Sequence, residues 1–202
     1  MADHYPYRIA GRRGDLTLIW RRGEGDAPDA LAVGEDGTLL AFADLPPLRE
    51  HCDRNGWTLV PDGEATLDLV DVRLWVLEQP GLGPVSPGLL LDAWNFFEDL
   101  ARSLRTGPRL PAQGPVHDRA YEKIFGGGAL DPEAGEGAWT ARETAAVRAL
   151  LRAGLDLWEH ATRPPGGGPP GRAADGGCAG PVGGGVSAGR AGTGSAEPRR
   201  HG

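Results

Sequence analysis

Asp92, Asn95 and Asp99 recur at spacings of three and four residues, which sets two carboxylates and a carboxamide on one stripe of a helix. Such a stripe can ligate a metal, relay protons or meet a cationic partner. The metal reading is weak, because no histidine lies near in sequence and Arg102 is spaced to pair with Asp99. What remains is a solvated face that can serve as a partner-binding surface. A second group, His117, Asp118 and Tyr121, brings the residue types of acid–base catalysis together in one short segment, although a loop with a helix cap accounts for the same residues. His51 and Cys52 have the chemistry of a base and a nucleophile, but neighbouring helical positions point apart, so Cys52 reads as a small core residue. Gly126 to Gly128 lacks the Gly-Lys-Ser/Thr that a phosphate loop requires and reads as a helix stop. Arg13-Gly14-Asp15 spells an adhesion tripeptide, but its setting is that of a hairpin turn. His160, one turn after Asp156, reads as an exposed helical pair.

The strongest element in the sequence carries the first of these groups. Over Ser86 to Arg105, Leu89, Leu90, Ala93, Trp94, Phe96, Phe97, Leu100, Ala101 and Leu104 form an apolar arc, and only Leu91 breaks the pattern. Ser86 suits the N-cap and Pro87 the first helical position, where a missing N–H costs nothing. A second long helix opens at Thr140-Ala-Arg-Glu143, a capping-box pattern, and runs to about Ala161. Gly154 sits at the centre of its apolar face, which predicts close approach of another helix, with 86–105 the natural partner. A shorter helix is expected around Asp118 to Phe125.

The first third reads as an antiparallel meander. Tyr7–Ala10 and Leu16–Arg22 flank Gly11-Arg-Arg-Gly14, and Leu31–Val33 and Thr38–Phe42 flank Gly34-Glu-Asp-Gly37. Asp44 with Pro46 and Pro47 starts a helix that Asn55-Gly56 ends, and Trp57–Val60 returns as a strand. Leu67 to Gln79 fits both periods; helix is favoured, with Asp68 as cap and Pro80-Gly81 as stop. Most of the six tryptophans fall on core positions, Trp139 fits a hydrophobic staple before Thr140, and some can anchor a partner.

Composition narrows the function classes. Residues 163–202 contain 14 Gly and 6 Pro, with Val182 and Val186 the only large aliphatics, so they are expected to be disordered. Their net charge is +3, which leaves −10 on residues 1–162 of a chain whose total is −7. An acidic fold disfavours a phosphate backbone as partner and favours a basic protein. Two cysteines, Cys52 and Cys178, make no disulfide framework, and no segment resembles a signal peptide or a membrane span, so a cytoplasmic location is expected. Nothing in the residues calls for a cofactor or a metal.

The order of a small N-terminal sheet, the Leu-Leu-Asp-Ala-Trp-Asn-Phe-Phe-Glu-Asp helix, the Tyr-Glu-Lys-Ile-Phe-Gly segment and a closing helix capped at Trp-Thr resembles small bacterial proteins of the toxin-immunity type, over roughly residues 7–161. The resemblance implies stoichiometric inhibition of a basic toxin by an acidic surface, with fast, salt-sensitive association. The expectation is therefore an α+β domain over residues 1–162, with an antiparallel sheet of four or five short strands packed against three or four helices. Its expected role is non-catalytic protein binding through Asp92, Asn95 and Asp99. The alternatives are a small enzyme or small-molecule-binding domain near His117, Asp118 and Tyr121, or a scaffold tethered by its basic C-terminal segment.

Overall fold

The computed structural model describes residues 3–60, 65–78 and 85–163. The expected disordered segment lies outside the described residues from 164 onward, as does the Pro80-Gly81 stop. Two antiparallel strands, β1 (His4–Ala10) and β2 (Leu16–Arg21), form the middle of the sheet, paired from His4↔Arg21 to Ile9↔Leu16. The turn between them closes with the Gly14 N–H donating to the Gly11 carbonyl at 3.1 Å. Beyond β2 lie β3 (Ala30–Leu31) and β4 (Ala41–Phe42), both antiparallel to it. A small hairpin intervenes between these two-residue pieces: Gly34 N–H bonds the Thr38 carbonyl at 2.8 Å, Val33 bridges Leu39, and Gly37 takes a φ of +80° at the tip. The strands expected at 31–33 and 38–42 thus divide, their outer ends pairing with β2 and their inner ends with each other around the expected Gly34–Gly37 turn.

The other edge corrects the antiparallel expectation. β5 (Ala65–Asp68) runs parallel to β1, and Leu59 also bridges His4 in parallel, which is all that remains of the strand expected at 57–60. Parallel pairing follows from the connection, since α1 (Leu45–Arg54) carries the chain from the β4 edge across to the β1 edge. Leu48 and Cys52 of α1 cover Ile19 on one face of the sheet, together with Phe42, Trp57 and Leu59.

Four helices build on the opposite face around Ile9, Leu18, Leu67 and the large apolar side chains of α3 (Pro87–Ser103). The ambiguous segment 67–79 is divided: β5 ends at Asp68, whose carboxylate accepts from the Val70 and Asp71 amides at 2.8 and 3.2 Å, and α2 (Leu69–Val76) begins there. α3 starts as expected, with Ser86 Oγ accepting from the Leu89 amide at 3.1 Å. α4 (Pro115–Phe125) begins three residues before the expected Asp118, and α5 (Ala141–Ala161) opens with the full Thr140–Glu143 capping box. Among the described residues there are five α-helices, each near a segment read as helical, against the three or four expected to pack on the sheet.

The glycine at 154 behaves as its place in the apolar face requires. A Cβ there would lie 2.2 Å from ring atoms of Phe97 on α3, far inside van der Waals contact, so only glycine admits that ring. Trp139 does precede the cap, but its position is set by its indole N–H, which bonds the Ala120 carbonyl of α4 at 2.9 Å.

Candidate functional site

The polar stripe of α3 faces outward, as the periodicity requires: Asp92 and Asn95 are exposed and Asp99 is half-buried. From α4, the Tyr121 hydroxyl donates to Asn95 Oδ1 at 3.1 Å. Of the second group of candidate residues, Tyr121 therefore joins the stripe on one surface. At the far end, Asp99 is tied to the sheet. Its Oδ2 accepts from the Trp20 indole at 3.4 Å, and its Oδ1 from Arg102, 2.8 Å away, which also donates to the Asp29 carbonyl. Ser103 completes the tie by donating to the Asp99 carbonyl at 2.7 Å and accepting from the Leu31 amide at 2.8 Å.

Three half-buried aromatic residues of the sheet border the acids. Tyr5 and Trp20 pair across β1 and β2 with ring centroids 5.4 Å apart, and Tyr7 packs on Phe96 of α3 at 5.8 Å. The electrostatics tie the group together. Burial pushes the Tyr7 phenol above its ordinary range, and the negative charges of Asp92 and Asp99 push it further. Burial also raises Asp99, more than its bonds from Trp20 and Arg102 can lower it, and raises Asp92. Among the described residues Asp92 has neither a hydrogen bond nor an ion pair. Its carboxylate is thus partly stripped of water and given nothing in return.

His117, Asp118 and Tyr121 are not assembled as an acid–base unit among the described residues. His117 Nδ1 accepts from the Gly114 amide at 3.4 Å, so that nitrogen serves as a cap for its own helix, and its ring meets Trp94 edge-on at 6.2 Å. Asp118 lies exposed in the first turn of α4, and Tyr121 turns to Asn95. Glu98 on α3 is engaged twice, accepting from the Trp94 indole at 2.9 Å and from Gln113 at 2.6 Å. Cys52 is sealed in the smaller core and burial raises its thiol, while His51 packs its ring against Phe42 and Trp57. Among the described residues no three of His, Cys, Asp and Glu gather to hold a metal, and no helix is long and apolar enough to cross a membrane.

Helical spacing located Asp92, Asn95 and Asp99, but nothing in it pointed to Tyr5, Tyr7 and Trp20 as their neighbours. Alternation along residues 4–10 and 16–21 puts these rings on one face of a hairpin, a usable signal only once that face is known to meet α3. In comparisons with known proteins, no family model, no curated protein and no solved structure matches this chain.

Proposed function

We propose that this chain is a non-catalytic, cytoplasmic binding domain that captures a basic protein partner on the surface of Asp92, Asn95 and Asp99, bordered by Tyr5, Tyr7, Trp20 and Tyr121. An immunity-type inhibitor of a basic toxin is the specific form of this reading. The observation that carries it is Asp92: an exposed carboxylate on the outer stripe of α3, close enough to the half-buried Tyr7 to act on its phenol and without a partner among the described residues, is open to an incoming cation. Half-buried Tyr and Trp around it supply contact area at little conformational cost. The excess of acid on residues 1–162 supports steering of a basic partner toward this face.

Native mass spectrometry of the tagged full-length chain from its source cells tests the reading. A basic protein held at one-to-one stoichiometry, released by raised salt and lost on Asp92→Arg without a change in thermal stability, is the expected result. The same partner retained by Asp92→Arg, or a small molecule retained in its place, overturns it. Asp99 is less suited to this test, because its bonds to Trp20 and Arg102 make its reversal a structural lesion as well.

A further inference from the structure

Away from the acidic face, and sharing no residue with it, a cleft of about 510 Å³ opens between the β1–β2 turn, the start of α2 and the end of α5. We propose that this cleft binds an organic carboxylate with a flat apolar body. Leu16, Leu69, Leu155 and Trp158 form its walls, which gives an apolar body a place to bury surface. Its rim is Arg12 and Arg13, exposed and without a carboxylate partner among the described residues. On a fold with such an excess of acid, two guanidinium groups left unpaired at the mouth of an apolar cleft are a local reversal of charge.

The turn presents these arginines from a fixed backbone. Gly14 takes a φ of +109° and bonds back to the Gly11 carbonyl, and a Cβ on Gly11 would crowd the Gly14 carbonyl at 3.3 Å. Arg73, also on the lining, is paired with Glu159 and so leaves the free positive charge to Arg12 and Arg13. Trp158 packs edge-on against Phe96 at 5.7 Å, which holds its ring in the wall of the cleft. The site therefore offers a carboxylate two guanidinium groups, whose planar forks match its geometry, beside an apolar wall that includes the Trp158 ring.

Titration of the full-length chain with 2-naphthoate, followed by amide and indole chemical shifts, tests the proposal against neutral 2-naphthamide and inorganic phosphate. Saturable shifts at Gly11, Gly14 and the Trp158 indole are expected with 2-naphthoate. Affinity for 2-naphthamide and for phosphate is expected to be at least about tenfold weaker, since one lacks the charge and the other the apolar body. The double variant Arg12→Ser with Arg13→Ser alters exposed side chains only, and it is expected to cost about tenfold for 2-naphthoate and nothing for 2-naphthamide. Shifts that map elsewhere, equal affinity for the acid and the amide, an unaffected double variant, or no saturable binding at millimolar concentration overturns it.

Discussion

Glu143 and Asp92 are both acids on helices that pack the main core, and their surroundings treat them in opposite ways. The Glu143 side chain is only 5% exposed, yet its Oε2 accepts from the Thr140 amide at 2.7 Å, from the Thr140 hydroxyl at 2.9 Å and from Lys123 at 3.0 Å, with Arg119 at 3.9 Å from Oε1. Burial alone would raise its pKa, but these bonds and the lysine charge outweigh it and hold the carboxyl below the usual range. Asp92 is far more exposed, has no such partners, and is raised. A sealed carboxylate whose Oε2 takes three hydrogen bonds holds the fold together, here by tying α4 to the start of α5. A wetter one left unanswered is free to be answered by something else.

This contrast can be broken most sharply at Lys123, the only lysine in the chain. Lys123→Met leaves Glu143 buried with its amide and hydroxyl bonds but without its hydrogen-bonded cation, Arg119 staying at 3.9 Å from the other oxygen, and is expected to cost about 3 kcal/mol in urea unfolding. A loss below about 1 kcal/mol would show that the capping bonds alone satisfy the carboxylate. Asp99 lies between the two extremes, since it is raised by burial yet bonded to Trp20 and Arg102. Asp99→Ala is therefore expected to cost about 1 kcal/mol at neutral pH, mainly from the half-buried indole N–H it leaves unpaired. Asp92→Asn is expected to do the reverse on a smaller scale and stabilise the fold by ~0.3 kcal/mol, the group being well exposed.

Acid titration sharpens the same contrast through its sign. Glu143 holds its proton less tightly folded than unfolded, so its contribution is present above the unfolded value of 4.5 and is lost as pH falls through the lower folded value. Glu143→Gln should consequently show its largest deficit near neutral pH and converge on the parent below that window. Asp92 holds its proton more tightly folded, so its penalty is absent below 3.8 and sets in as pH rises through the raised value. The gain from Asp92→Asn should accordingly vanish in acid; a gain that persists there would assign it to helix propensity rather than to desolvation.

Elements written in local sequence were the legible ones. The Thr140–Glu143 box, the Ser86 and Asp68 caps and the glycine at 154 are each specified within a few residues, and each does in the structure what its neighbours in sequence imply. Strand direction is not written that way: residues 65–68 look the same whether they run with β1 or against it, and only the path through α1 decides. The site divided along the same line. Helical spacing revealed the α3 stripe, whereas Trp20 reaches Asp99 across 79 positions of sequence and Lys123 reaches Glu143 across 20. Pairings of that kind depend on how layers dock, and no single-sequence periodicity encodes docking.

The ring of Phe97 lodged where a side chain at 154 would sit also fixes how α3 and α5 can move. Shifting α5 along α3 by one turn would set Leu150 or Leu151, or Leu157 or Trp158, against the ring in place of Gly154, so the pair has a single register rather than a range of them. The outer side of α3 is thereby a rigid platform, its geometry set before any partner arrives. For the proposed basic partner, docking on such a platform would spend little entropy on ordering, so the encounter rate should follow ionic strength while side-chain truncations on the face act mainly on residence time.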